Sequence, residues 1–324
     1  MLLASLSSIF RLAVMGVLIV GLLSGCDNGS ESGSERVIAM SEGYMVSMAF
    51  SPDWYTLAVG TSHQGAQVWS VPDDKLLYKL EPGNARSVSL SPDGKLLALS
   101  WRSPDDKQGA VEVRHLADGK LVRTLPDHGL AYSVAFSPDG KLLAVGAREA
   151  VTLYDVESGE ASWSIDVPAW LVRFSPDGKS LLVATDRMAL YSVEDGTLSR
   201  ELDGWSEGVF SPDGRLFAAP VQQSGLTVQS WDTETWLPHL RLDKPSDLKP
   251  PPQVHNLAFS PGATRLVAST NSGTADLWDM TTRQSLRTFQ FAQTLGGGEV
   301  AFSPDGKRLA IQNAYDVRIW DLGE

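Results

Sequence analysis

Cysteine is nearly missing from this chain: Cys26 is the only one in 324 residues, so no disulfide can form within the protein. Cationic residues are outnumbered, 27 Lys and Arg against 39 Asp and Glu, and no basic run interrupts the net charge of −12. That balance removes the electrostatic footing needed to wrap a nucleic-acid backbone. Histidine is scarce as well. His63, His115, His128, His239 and His255 are scattered along the chain without a recognised metal spacing. No Walker or dinucleotide glycine motif occurs, and Gly296-Gly297-Gly298 lacks the helix and the Lys/Ser pair of a phosphate loop. Neither a metal nor a cofactor is therefore expected. The long apolar run lies at the start, where Leu12 to Leu23 carries no charge, follows Arg11 and ends in small residues. It is short for a spanning helix and has the pattern of a secretory signal.

The residues after that run give the cysteine a role. Leu23-Ser24-Gly25-Cys26 resembles the lipobox of bacterial lipoproteins, which implies a diacylglycerol on the Cys26 thiol and cleavage before it. With Arg11 as the only basic side chain ahead of the run, an uncleaved anchor built on Met1 to Leu23 stays open. Residues 1–25 then form a signal peptide and 26–35 a tether, since Asp27 to Glu35 is polar, rich in Gly and Ser and offers nothing to bury. The implied location is the bacterial cell envelope, lipid-anchored on the periplasmic side. Asp27 resembles the signal that retains some lipoproteins at the inner membrane.

Beyond the tether one unit recurs. Ser51-Pro52-Asp53-Trp54, Ser91-Pro92-Asp93-Gly94, Ser137-Pro138-Asp139-Gly140, Ser175-Pro176-Asp177-Gly178, Ser211-Pro212-Asp213-Gly214, Ser260-Pro261-Gly262-Ala263 and Ser303-Pro304-Asp305-Gly306 are seven variants of one turn. Their serines are 40, 46, 38, 36, 49 and 43 residues apart, the period of four-stranded propeller blades. Proline presets φ and glycine accepts a positive φ, so each copy closes a hairpin. An alternating strand such as Val46 to Phe50 precedes the turn, and an apolar one such as Leu96 to Leu99 follows it. A third strand then follows, as at Val68-Trp69-Ser70, Val113-Arg114-His115 or Leu277-Trp278-Asp279, and a fourth follows in six copies, as at Lys75 to Leu80.

Over residues 36–324 the chain resembles the WD-repeat propellers, on the strength of the seven-fold recurrence and of Trp-Asp at 231–232, 278–279 and 320–321. The resemblance implies an all-β, seven-bladed β-propeller of four-stranded blades. The family's stabilising tetrad is mostly missing: only His128 stands near its histidine position, and no aspartate occupies the following turn between second and third strands. Apolar packing is expected to carry the load. The seventh unit ends after its third strand, and Arg36 to Met40 is a strand without a blade, so the N-terminal strand should close the ring.

Candidate chemistry is thin. Gly204-Trp205-Ser206-Glu207-Gly208 has the spacing of a hydrolase nucleophile elbow, but it enters a strand and no helix follows, so no catalytic residue is assigned. Arg173 and Glu207 are charges at otherwise apolar or small positions, read as a structural pair in preference to ligand groups of the channel. The loops say more. The turns joining first to second and third to fourth strands are short and uniform, whereas 102–109, 220–225, 243–253 and 290–298 are long and fall on the opposite face. Variable loops on a rigid scaffold are where binding usually resides. Arg86, Trp101, Tyr132, Arg148, Trp170, Arg187, Trp205, His255 and Tyr315 belong to that face and are the candidate binding residues, since Arg, Trp and Tyr dominate interaction hot spots. The sequence thus points to a monomeric, membrane-anchored accessory propeller that binds a protein or peptide and no nucleic acid. An enzyme or small-ligand binder working at the channel mouth is the alternative, because fold alone does not decide.

Overall fold

The computed structural model describes residues 35–39, 43–80, 83–103, 109–126, 130–202, 207–221, 226–244, 252–291 and 298–323. Every regular element among them is a strand, and the 28 strands sort into seven antiparallel sheets of four. Blade one shows the plan: strand a is Met45–Phe50, b is Thr56–Thr61, c is Ala66–Ser70 and d is Lys75–Leu80. Blades two to six repeat it within 84–125, 131–165, 171–202, 209–244 and 254–290. Blade seven takes a, b and c from Val300–Phe302, Arg308–Gln312 and Asp316–Asp321, and d from Glu35–Ala39. The ring is closed by the N-terminal strand.

The recurrent turn is wired through its serine. Ser91 Oγ donates to Asp93 Oδ1 at 2.6 Å and accepts the Leu96 N–H at 2.8 Å, while Asp93 also accepts the Lys95 N–H at 3.1 Å. Hydrogen bonds of this kind favour the ionised carboxylate, and the serine hydroxyl first of all holds Asp53, Asp93, Asp139, Asp213 and Asp305 below the ordinary carboxylate range. The residue after the aspartate adopts the left-handed conformation, with Gly94 at φ +70°. Trp54 and Ala263 take it without being glycine, at +63° and +53°. Trp54 is held there by stacking on Phe50, with ring centroids 4.3 Å apart.

The apolar residues form seven clusters, and each lies between two blades. One joins Ile38, Val317 and Ile319 of blade seven to Met48, Leu57 and Trp69 of blade one. The next joins Ala58 and Val68 of blade one to Val88 and Leu97 of blade two. The period of two explains this: neighbours along strand b, such as Leu57 and Ala58, point to opposite faces and enter different clusters. Both faces of b are covered, which is why it reads as an unbroken apolar run.

The closing strand begins one residue inside the stretch read as tether. Glu35 pairs with Trp320 in the ladder and its carboxylate meets Arg318 Nη1 at 2.8 Å. Arg36 reaches forward to blade one, donating to the Val71 carbonyl and, at 2.9 Å, to the Pro72 carbonyl, and pairing with Asp74 at 2.7 Å. Equivalent positions on other d strands do the same. Tyr78 Oη donates to Leu116 O at 2.6 Å, Arg123 to Glu157 O at 2.6 Å and Trp163 Nε1 to Val193 O at 2.8 Å, each acceptor lying on the following blade. Burial in that contact pushes the Tyr78 phenol up to about 12. Where the tetrad is missing, this outer belt ties successive blades together.

Candidate binding mouth and channel

Strand a is the inner edge of every blade, so alternate residues on it face the axis. Counting back four from each turn serine gives Ser47, Ser87, Ser133, Leu171, Glu207, Asn256 and Glu299, the waist of the channel. Counting back two gives Ala49, Ser89, Ala135, Arg173, Val209, Ala258 and Ala301, in which Arg173 is the only large polar side chain. A cavity of about 510 Å³, lined also by Pro52, Trp54 and Pro304, opens on the side of the uniform turns. A smaller chamber of about 200 Å³ opens on the loop-rich side.

An edge strand carries amide groups that need acceptors. The waist supplies them. Ser47 Oγ accepts the Val88 N–H at 3.3 Å, Ser87 the Val134 N–H at 3.1 Å and Ser133 the Val172 N–H at 3.1 Å, each from the next blade. Glu299 does the same across the closure, its Oε2 accepting the Met48 N–H at 2.5 Å. The series then stops, because Leu171 has no acceptor to offer. Arg173 spans that gap instead, donating from Nη1 to Gly208 O at 3.3 Å.

Glu207 stands apart. Its Oε2 is buried without a hydrogen-bond partner, and the nearest cation, Arg173 Nη2, is 3.9 Å away. The two residues expected as a structural pair do approach, but without hydrogen bonding. A third charge, Glu299, shares the chamber. Burial, opposed by Arg173 and reinforced by the Glu299 charge, pushes the Glu207 carboxyl up to about 7. Burial raises Glu299 to about 7 as well, against the pull of the Met48 amide and Arg173. The Arg173 guanidinium therefore acts on both carboxylates, in a chamber lined also by Arg86 and still open to solvent, since 25% of the Glu207 side chain stays accessible.

At the mouth, β-bulges re-aim one residue per strand. The ladder skips Val46, Arg86, Tyr132 and His255, five residues before their turn serines, and Trp170 holds the same position in blade four. Four of the expected binding residues thus meet around one opening. Trp170 is 62% exposed and stacks on Tyr132 with centroids 5.8 Å apart. The Arg86 guanidinium lies over the other side of the arc, 5.0 Å from the Tyr132 centroid, with Arg102 at 5.5 Å. His255 is half-buried, and burial lowers its pKa, which keeps the imidazole neutral at pH 7.

The other candidates are dispersed. Tyr315 is exposed on the b to c turn of blade seven, its ring 5.3 Å from that of Tyr44. Arg148 is exposed on the corresponding turn of blade three. Arg187 lines a separate hollow of about 430 Å³ with Asp186, Tyr191 and Glu201. Trp101 packs inward against the cluster shared by blades one and two, its indole N–H buried without an acceptor. Cys26, His128, Trp205 and Ser206 lie outside the described residues, as do 104–108, 222–225, 245–251 and 292–297 of the long loops. Among the described residues no three His, Cys, Asp or Glu side chains are grouped as a metal site.

Glu299 was not singled out by the sequence reading, which assigned the neighbouring 290–298 to a loop. The signal was present: aligning the seven copies on their serines places Glu299 in the same column as Ser47 and Glu207.

Comparison with known proteins adds one match. Residues 119–155 fit the family described as WD domain, G-beta repeat. The matched span starts at the c to d turn of blade two and ends with strand c of blade three, at Tyr154-Asp155. No curated protein matches the chain. With a ring of seven four-stranded blades, this protein is a seven-bladed β-propeller, and residues 119–155 of it are similar to the WD domain, G-beta repeat.

Proposed function

We propose that the protein is a binding propeller that captures a protein or peptide at its loop-rich face, with Arg86, Tyr132 and Trp170 as the anchor. The observation that carries this reading is the exposed Trp170, already stacked on Tyr132. A preorganised aromatic loses little side-chain entropy when a partner covers it. Arg86 completes the pattern of hot-spot chemistry. Crosslinking in cells, followed by affinity measurement on the captured partner, tests it. Trp170→Ala should weaken binding by about 1–4 kcal/mol while the thermal midpoint stays put. Asp118→Ala and Asp195→Ala, in turns of the uniform face, should do little. Loss of affinity in these two alone would place the binding surface on the wrong side.

The N-terminal sequence adds an address. A lipid on Cys26 would hold the propeller at the membrane surface of the cell envelope, with 27–34 as spacer. Mass spectrometry of the mature chain checks this. Retention of Met1 to Gly25, or no lipid mass on Cys26, would refute it.

A further inference from the structure

Away from the channel, the register of the blades marks one position that blade four leaves unfilled. On strand c, the residue opposite the eighth residue after each turn serine is Gln67, Glu112, Thr152, Ala189, Gln229, Asp276 and Arg318 in blades one to seven. Six are polar and engaged. Gln67 accepts from Trp69 Nε1 at 3.2 Å, Glu112 meets Arg114 at 2.7 Å, and Thr152 shares a bond of 2.9 Å with Ser164. Gln229 donates to Leu240 O at 2.9 Å, Asp276 accepts from Thr288 at 2.6 Å, and Arg318 donates to Glu35 at 2.8 Å. Blade four has only a methyl group there. Ala189 lies in the wall of the hollow of about 430 Å³, a size within the roughly 300–1,000 Å³ of small-molecule pockets.

The pairing sets what surrounds Ala189. Val183 lies beside it on strand b and Glu201 on strand d, while Arg187 and Tyr191, two residues either way along strand c, share its face. Val183 packs with Ala144 and Leu153 of blade three, so this face looks across the joint between the blades, and Val167 of the connection adds a second apolar wall. The Arg187 guanidinium, the Glu201 carboxylate and the Tyr191 hydroxyl make no hydrogen bond or ion pair among the described residues. Diagonal positions on neighbouring strands are within reach of long side chains, yet these opposite charges stay apart. Asp186, at the rim, accepts the Thr185 hydroxyl at 2.9 Å. Burial, with the Glu201 charge, raises the Tyr191 pKa, so the phenol stays protonated and can donate. We infer that the hollow binds the carboxy end of an α-amino-acid unit with an apolar side chain. Its carboxylate meets Arg187, its α-nitrogen donates to Glu201, and its side chain lies against Val167, Val183 and Ala189. A lone anion would face Glu201 and a lone cation would face Arg187, whereas a unit carrying both an anion and an N–H donor satisfies the pair. A free amino acid and the last residue of a peptide share this chemistry, and only the peptide rests on the reading of the loop-rich face as a peptide-binding surface.

Calorimetry on the full chain at pH 7 tests the inference with L-leucine, N-acetyl-Ala-Ala-Leu and the C-terminal amides of both. At least one acid should bind. Its amide should bind about tenfold more weakly or worse, and Arg187→Gln should weaken the acid by a similar factor, the worth of one charged hydrogen bond. Ala189→Gln, which gives blade four the side chain that blades one and five carry, should close the hollow and abolish binding while the thermal midpoint holds or rises. Arg187 is exposed, so its replacement leaves folding intact and decides the matter should Ala189→Gln fail to fold. L-Leucine alone identifies a free amino acid as the ligand; the tripeptide alone identifies a partner's chain end. No binding of either acid, equal binding of an acid and its amide, or unchanged binding by either folded variant overturns the inference. If Trp170→Ala still weakens partner capture in that event, the proposed function stands and only this site falls.

Discussion

Ile38→Ala tests the ring closure most directly. Ile38 is fully buried in the closing strand, among Val317, Ile319, Met45 and Trp69, while its neighbour Val37 is 44% exposed. Truncating a buried isoleucine costs about 2–5 kcal/mol, the transfer of the lost carbons plus the cavity they leave. Here the cavity would sit on the seam where the strand is held to Asp316–Asp321 by ladder pairing, the Glu35–Arg318 ion pair and apolar packing. A cost near 3 kcal/mol corresponds to a fall in melting temperature of about 6–12 °C, taking 2–4 °C per kcal/mol for a chain of this class. Val37→Ala should stay within about 1 kcal/mol of the parent, because its side chain is half in solvent. Urea unfolding followed by tryptophan fluorescence, alongside a calorimetric scan, would measure both. Equal midpoints for the two variants, or a loss under 1 kcal/mol for Ile38→Ala, would refute the claim that this strand closes the core.

Two further predictions follow from the turn and the channel. Ala263→Gly should raise stability by about 0.5–1 kcal/mol in urea unfolding, because Ala263 sits at φ +53° where a Cβ is penalised; a loss would show that its packing outweighs the strain. The carboxyls of Glu207 and Glu299 are raised from an ordinary 4.5 to about 7, so in that window the folded protein binds more protons than the unfolded one and stability falls as pH rises. Glu207→Gln should therefore gain on the parent between pH 5 and pH 8, by on the order of 1–2 kcal/mol, and a pH-independent difference would argue against a buried, ionisable Glu207.

The ring was legible because its punctuation is chemical. Ser-Pro-Asp-Gly fixes a turn through bonds that depend on those side chains, and the runs around it have nowhere to go but a sheet. The orphan strand at the N-terminus could be placed by edge pairing alone. The channel was harder. Arg173 and Glu207 stood out as charges in apolar surroundings, but Glu299 follows a glycine-rich stretch and looks like the end of a loop until the copies are aligned on their serines. Bulges hid the mouth, since an extra residue in strand a turns Arg86, Tyr132 and His255 away from the face that strict alternation gives them. Trp101 shows the converse, an aromatic at the end of a strand that packs inward. Neither direction can be read without the register.

Each blade contributes half of two cores and owns neither, as the division of Leu57 and Ala58 between neighbouring clusters shows. The unit that folds is thus the joint between blades. A chain that lost one repeat would not simply give up a seventh of its stability. It would expose two unmatched apolar faces until the ring reclosed at a smaller radius, and the waist would narrow with it. Repeat number and channel bore are therefore one inherited quantity, and sequence drift within blades is free to proceed only where it respects both neighbours.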